Sequence, residues 1–416
     1  VETYPPSLKS RLILMSAEAD VETNDLLNAS NKLDSLTYEG LITNAEQATY
    51  RYIRGLIATK TDNRDVGIEE LKKAAKGRDA LYHAKAELDL VDLQLKDKAI
   101  ELDEAINRLE RLRFAWRGDR LEIKTMHRLG QYYIQNQEYA PGLNVLKSAA
   151  SLAEQQEDVD TITKDMADVF VKLYVDGAAD NLSPLKALSL FNEFRELTPV
   201  GSDGNTAIQN LSKRLVEVDL LDQADELLTE QLRYRTSGAE AAEVGTRLAV
   251  IRLLARQPKA ALQALQESDN ASITPDIKKK RDVIKARALA DNKNIDEALN
   301  ILQGNSSDEA TQLKADINWR AGRWDDAVTA LDTLISRSIA QGEDTSEEGL
   351  SNLILKKGIA LALSGDEVAL KRLKATYGSY VTETDNSTAF DILTKPMRGR
   401  TLADLATLKA VSYTHL

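Results

Sequence analysis

Apolar residues recur at three- and four-residue spacing along most of this chain. From Leu81 to Leu93 they fall on one stripe, and Leu102, Ala105, Ile106, Leu109 and Leu112 continue it over 100–112. That period puts them on one face of an α-helix. Pro184 stands where a helix's first turn tolerates it, with Ser183 as its cap, and the stripe runs on through Ala187, Leu190, Phe191 and Phe194. Reading on in this way gives roughly twenty helices, most of about 10–20 residues. The strongest break is Thr198-Pro199-Val200-Gly201-Ser202-Asp203-Gly204, and polar loops are expected over 341–346, 382–387 and 395–399. The expected organisation is a helical pair or cap over 1–40, an array over 41–198, a loop over 199–205 and a second array over 206–378. A C-terminal cap or truncated module follows over 379–410, and then a non-native tail over 411–416.

The helices repeat in pairs. Leu129-Gly130 with Tyr132-Tyr133 is followed by Tyr139, Gly142, Leu146 and Ala149; Ala315 and Asn318 are followed by Gly322, Trp324, Ala327, Leu331 and Leu334. Small residues at Gly130 and Gly142 let two helices approach closely, with Tyr133, Tyr139 and Leu146 filling the space around them. Gly322 ends one helix, and Trp324 starts the next. Fainter copies lie at Gly55 with Gly67, at Ala249 with Ala261, at Ala286 with Ala298, and around Ala224. Ala224, Ala261, Ala298 and Ala327, which open second helices, are 37, 37 and 29 residues apart.

This order of small, aromatic and apolar residues resembles the tetratricopeptide repeat, whose period is about 34 residues. The resemblance covers residues 40 to 375. It implies an all-α solenoid of stacked antiparallel helix hairpins, a superhelix whose first helices line a concave groove for a peptide or partner helix. Residues 113–119 and 185–199 also resemble a group of proteobacterial repeat proteins, which implies the same architecture and no reaction. Carried over from the family, the groove positions are Lys124, His127, Gln131 and Ile134 in the Gly130 repeat. They are Lys280, Val283, Arg287 and Ala290 in the Ala286 repeat, and Glu309, Gln312, Asp316 and Trp319 in the Ala315 repeat. The family's carboxylate clamp uses Lys and Asn where this chain has His127 and Gln131.

Composition narrows the function classes. The formal net charge of −12 lacks the broad basic footprint of a nucleic-acid binder. With no cysteine, disulfides, thiol catalysis and thiolate metal sites are excluded. No apolar run is long enough to span a bilayer, so no direct membrane insertion is expected. No phosphate-cradling or metalloprotease motif and no nucleophile elbow occurs. No cofactor or metal is therefore expected. Acidic pairs such as Asp225-Glu226 and Asp296-Glu297 sit where they complement a helix dipole. Val1-Glu2-Thr3-Tyr4 reads as the interior of a longer chain, so any signal or anchor is expected upstream and the compartment is bacterial cytoplasm or periplasm. Residues 411–416 resemble adapter read-through.

The remaining candidates are charge clusters. Arg108, Arg111, Arg113, Arg117, Arg120, Lys124 and Arg128 surround Phe114 and Trp116, as a grip for an acidic partner or a phosphate, or as a solvated face with Trp116 packed into the next hairpin. Lys278-Lys279-Lys280-Arg281 reads as neutralising its acidic surroundings, and His83 as a packed or surface histidine. The expected function is a non-catalytic scaffold or adaptor for a protein partner. A cell-envelope assembly or secretion accessory and the regulatory region of a larger enzyme are the alternatives.

Overall fold

The computed structural model describes residues 5–61, 63–341 and 348–395. Among them there are twenty-one α-helices and no strand. The chain divides into two compact units between Ala207 and Ile208. The first unit contains α1 (Pro6–Glu22), α2 (Leu26–Asp34), α3 (Asn44–Lys60), α4 (Arg64–Ala75) and α5 (Ala80–Lys96). After these come α6 (Leu102–Ala115), α7 (Arg120–Gln135), α8 (Tyr139–Leu152), α9 (Gln156–Tyr174) and α10 (Pro184–Glu193). Helix α11 (Ser202–Glu217) crosses the division. The second unit continues with α12 (Leu221–Tyr234), α13 (Gly238–Leu254), α14 (Pro258–Glu267), α15 (Pro275–Asp291) and α16 (Ile295–Ile301). It closes with α17 (Asp308–Arg320), α18 (Trp324–Gln341), α19 (Glu348–Ser364), α20 (Glu367–Tyr377) and α21 (Ser387–Thr394).

In each unit, helices adjacent in sequence pack as antiparallel pairs. Alternate helices also meet: α1 packs on α3, α3 on α5, α5 on α7, α13 on α15, and α15 on α17. Each unit is thus a solenoid of stacked helix hairpins, in which neighbours bury what a lone hairpin would expose. The α1–α5 core is built on Leu14, Leu33, Ile53, Leu71 and Leu90, and the α15–α17 core on Ala286, Leu289, Leu302 and Ile317. Each fully buried side chain of this size contributes about 1.5–3 kcal/mol.

The hairpin contact is as tight as the small residues imply. A Cβ at Gly130 would lie 2.6 Å from Leu146, and one at Gly142 would lie 2.6 Å from Ile134 and 3.0 Å from the Gly130 carbonyl. Gly55 and Gly67 make the same contact between α3 and α4. There a Cβ at Gly67 would sit 2.7 Å from the Thr59 backbone nitrogen and 2.8 Å from the Gly55 carbonyl. Ala224, Ala261, Ala298 and Ala327 are fully buried at the equivalent contacts. Tyr139 is buried beside the contact, but Tyr133 points elsewhere and donates its hydroxyl to Glu110 at 2.8 Å.

The turn inside the hairpin also repeats, in a way the side chains conceal. Asn24, Gln137, Asp219, Arg256 and Lys293 all have φ between 58° and 70°, as does Gly322 at 68°. Each closes the same pair of backbone bonds, for example Lys293 N–H to Ala290 C=O and Asn294 N–H to Leu289 C=O. This is a left-handed helix ending of the Schellman type. Five residues after these positions stand Ala29, Gly142, Ala224, Ala261, Ala298 and Ala327. At these six turns the left-handed residue and the small residue keep a fixed spacing. Lys98 closes the same bonds at φ 58°, but the fifth residue after it is Asp103 and the buried small residue is Ala105.

Several boundaries differ from the sequence expectation. Helix α10 stops at Glu193, and Phe194, fully buried, leads into a 3-10 turn at Arg195–Leu197. Helix α11 begins at Ser202, inside the segment expected as a loop. The tail 411–416 and residues 396–410 of the expected C-terminal module lie outside the described residues, as does most of the 341–346 loop.

Two substitutions test the hairpin unit. Gly67→Ala gains helix propensity but drives its Cβ into backbone atoms of α3, so it is expected to cost about 1–3 kcal/mol net and more than Gly55→Ala, whose nearest neighbour is the movable Leu71 side chain. Equal thermal midpoints for the two variants would contradict this contact. Lys293→Gly removes a left-handed strain and is expected to raise stability by up to about 1 kcal/mol in urea denaturation; a loss of stability there would count against the shared turn.

Candidate partner-binding site

The first helices of the hairpins in the N-terminal unit are α1, α3, α5, α7 and α9, and their facing side chains bond to one another. Tyr52 on α3 donates its hydroxyl to Asp89 on α5 at 2.7 Å. Tyr82 and Lys85 on α5 reach Glu18 on α1 at 2.8 and 2.7 Å. Tyr132 on α7 donates to Asp92 on α5 at 2.5 Å, and Arg128 pairs with the same carboxylate at 2.8 Å. His127 Nε2 and Gln131 Nε2 lie 2.7 and 2.8 Å from Asp165 Oδ2 on α9. These bonds form a ladder of tyrosines, cations and carboxylates that ties consecutive hairpins together.

Burial raises the pKa of Asp89 to about 6. The neighbouring Asp92 charge adds to this, and the Tyr52 hydroxyl, Lys124 and Lys60 oppose it. Asp92 is also shifted up by burial, against the Tyr132 hydroxyl and Arg128. Burial, reinforced by the acceptor carboxylates, moves the hydroxyls of Tyr52 and Tyr132 well above their ordinary value. Tyr133 is pushed up to about 12, chiefly by burial and then by Glu110.

The ladder accounts for most of the first group of candidates. His127 and Gln131 are held by α9, and Lys124 is exposed on α7 within the field of Asp89. Ile134 lies over Gly142 in the hairpin contact instead of on the inner face. The basic cluster around Phe114 disperses into separate pairs: Arg108 with Glu87, Arg113 with Glu110, Arg120 with Asp158, and Arg128 with Asp92. Arg113 and Arg117 bracket the exposed ring of Phe114 at 4.9 and 5.6 Å, and Trp116 donates to Asp119, the cap of α7. His83 donates Nδ1–H to the Ala75 carbonyl, a bond within the α4–α5 packing.

The second unit is different. Helices α13, α15 and α17 border an open cleft of about 510 Å³. Its apolar lining is Val250, Leu253 and Leu254 from α13, Val283 and Ile284 from α15, and Leu313 from α17. Leu254 is 56% exposed and Val250 40%. The polar lining is Arg287, Asp291, Glu309, Gln312 and Asp316, so with Val283 the structure brings five of the sequence-predicted groove positions, Val283, Arg287, Glu309, Gln312 and Asp316, into one site. Asp291 is neutralised by Arg320 at 3.2 Å, and Gln312 donates to Asp316 within α17 at 3.3 Å. Neither Arg287 nor Glu309 makes a side-chain ion pair among the described residues. Lys280 is exposed and does not line the cleft; Trp319 packs edge-on against Trp324 at the start of α18, the second helix of its own hairpin.

Val250 and Leu254 were missed in the sequence, although the signal was there. Val250, Arg287 and Asp316 each directly follow the small residue of their repeat, Ala249, Ala286 and Ala315. Extending the register to the Ala249 repeat would have placed Val250 beside the other two.

Arg281 departs from its reading as part of a basic run. It is 6% exposed, and its guanidinium donates to the Ala242 carbonyl at 2.7 Å and to the Thr246 and Ser268 hydroxyls at 3.0 and 3.1 Å. It also donates to the Leu265 carbonyl. Burial lowers its pKa, opposed by the charges of Asp269 and Asp282. Gly245 leaves room for this clasp, since a Cβ there would collide with Ser268.

Among the described residues no group of side chains could hold a metal ion, and no helix is long and apolar enough to cross a membrane. No family model matches the chain, and no curated protein matches it. Among solved structures it is similar to a P58(IPK) TPR domain, at 13% identity over 86% of this chain and 99% of that one, with a TM-score of 0.24. It is also similar to NprR in complex with its cognate peptide NprX, at 10% identity over 76% and 82% with a TM-score of 0.25. The apo form of the quorum sensor NprR from B. thuringiensis gives 10% identity over 85% and 87% with a TM-score of 0.26. Superpositions this loose carry no argument, and the fold assignment rests on the hairpins themselves.

The ladder makes a pH prediction. Asp89 holds its proton in the folded chain up to about pH 6, whereas an unfolded aspartate loses it near pH 4. Between those values the folded state binds more protons, so this residue's contribution falls as pH rises through the window and is level above it. Asp89→Asn keeps an acceptor for Tyr52 and removes the titration. Its stability relative to the parent is expected to improve by up to roughly 3 kcal/mol between pH 4 and pH 6.5 in urea melts. A constant difference across that range would refute the shift.

Proposed function

We propose that the protein is a non-catalytic interaction module whose second unit holds a segment of a protein partner in the α13–α15–α17 cleft. One observation carries this reading: exposed Leu254 and Val250 border the cleft beside Arg287 and Glu309, whose charges are unmatched among the described residues. Water-facing apolar side chains gathered in a concavity with a polar rim are the anatomy of a recognition surface. The inner face of the first unit supports the contrast, because its polar groups are already engaged with one another. On this reading the first unit is a girder and the second a receptor.

Peptides selected from a displayed library on the purified protein, with affinities measured by fluorescence anisotropy, provide the test. Leu254→Asp places a charge on the cleft wall without disturbing the core and is expected to weaken selected peptides at least about ten-fold, equivalent to about 1.4 kcal/mol. Leu185→Asp, equally exposed on α10, is expected to leave them unchanged. A panel of bound peptides indifferent to Leu254→Asp would overturn the assignment of the site.

A further inference from the structure

We infer that the occupant of this cleft is an amphipathic α-helix with basic side chains on the flank facing α17 and an acidic one on the flank facing α15; this rests on the docking site proposed above. The first ground is charge. With Asp291 neutralised by Arg320, the uncompensated charges on the lining are Arg287 on α15 and Glu309 and Asp316 on α17. Asp316 receives only the neutral amide of Gln312. The cleft therefore carries a positive charge on α15, a stronger negative charge on α17, and apolar side chains from all three helices.

The second ground is spacing. Glu309 and Asp316 are seven residues apart, two turns of α17, which sets them on one face about 10 Å apart. A helix lying along α17 presents its own residues i and i+7 at that same interval. Its i+3 and i+4 positions fall between them on the same face, as Leu313 does between Glu309 and Asp316 on α17.

The third ground is backbone accounting. All three walls are α-helices, whose own N–H and C=O groups are paired along the helix, so an extended segment would find only side chains to bond. Its backbone would be desolvated against the apolar floor without partners, at a cost a helix avoids by bonding internally.

Two synthetic helices with the same leucine face separate the possibilities. One carries lysines at i and i+7 on one flank and a glutamate on the other; the second has the signs inverted. Anisotropy titrations with the full chain are expected to favour the first by at least about five-fold, with the margin shrinking as salt is raised. The triple variant Arg287→Glu, Glu309→Lys, Asp316→Lys is expected to reverse that preference. Glu309→Lys alone, at an exposed position, gives the same readout in part should the triple variant lose its circular-dichroism melt. If both helices bind equally and Leu254→Asp abolishes both, the docking site stands and the charge inference falls. If neither helix binds while library-selected extended peptides do, and Leu254→Asp weakens those, the helical occupant is refuted and the site retained. If neither helix nor any selected peptide responds to Leu254→Asp, the docking site itself is lost.

Discussion

Paired helices in this protein approach so closely that one side chain per contact must be nearly absent. At Gly67 the neighbouring backbone stands where a Cβ would be, and at Gly130 and Gly142 the two glycines face each other's carbonyls across the hairpin. Everything else in the architecture follows from that proximity. Close hairpins present narrow ridges, narrow ridges stack on the next pair, and stacking aligns the first helices side by side. At six of the hairpins a left-handed turn stands five residues before the small residue and fixes where the second helix begins.

The same scaffold yields two different inner faces through the choice of residues next to the small ones. In the first unit those positions hold tyrosines, lysines and carboxylates long enough to meet across neighbouring helices, and their mutual bonding offsets the cost of partial burial. In the second unit valines and leucines take the corresponding places on α13, and the charged groups beyond them stand too far apart to neutralise one another. One face is satisfied internally and the other is left with unmet chemistry.

The residues set the limit on what could be read in advance. Helices such as α5 and α6 were legible because their apolar stripes have the helical period, and the hairpins because Gly and Ala recur where the helices touch. The repeat register located Arg287, Gln312 and Asp316 for the same reason. The ladder was not legible: Tyr52 and Asp89 are 37 residues apart and Tyr82 and Glu18 are 64 apart, and no local spacing links such pairs. The left-handed turns were hidden because lysine, arginine and glutamine, which rarely adopt that conformation, occupy them. Arg281 was hidden because a cation among lysines reads as solvated until two neighbouring helices close over it.

That enclosed guanidinium has a mechanical consequence. By gripping carbonyls and hydroxyls of α13 and α14 from its seat on α15, it welds two of the three walls beside the cleft into a single block. Among the described residues, helix α17 meets α15 through apolar contact and the solvent-washed Asp291–Arg320 bridge, and its other polar ties run to Asn305 and to Arg337 on α18. Two walls of the site are thus clasped to each other by a buried cation, and the third, which carries most of the negative charge, lies outside that clasp.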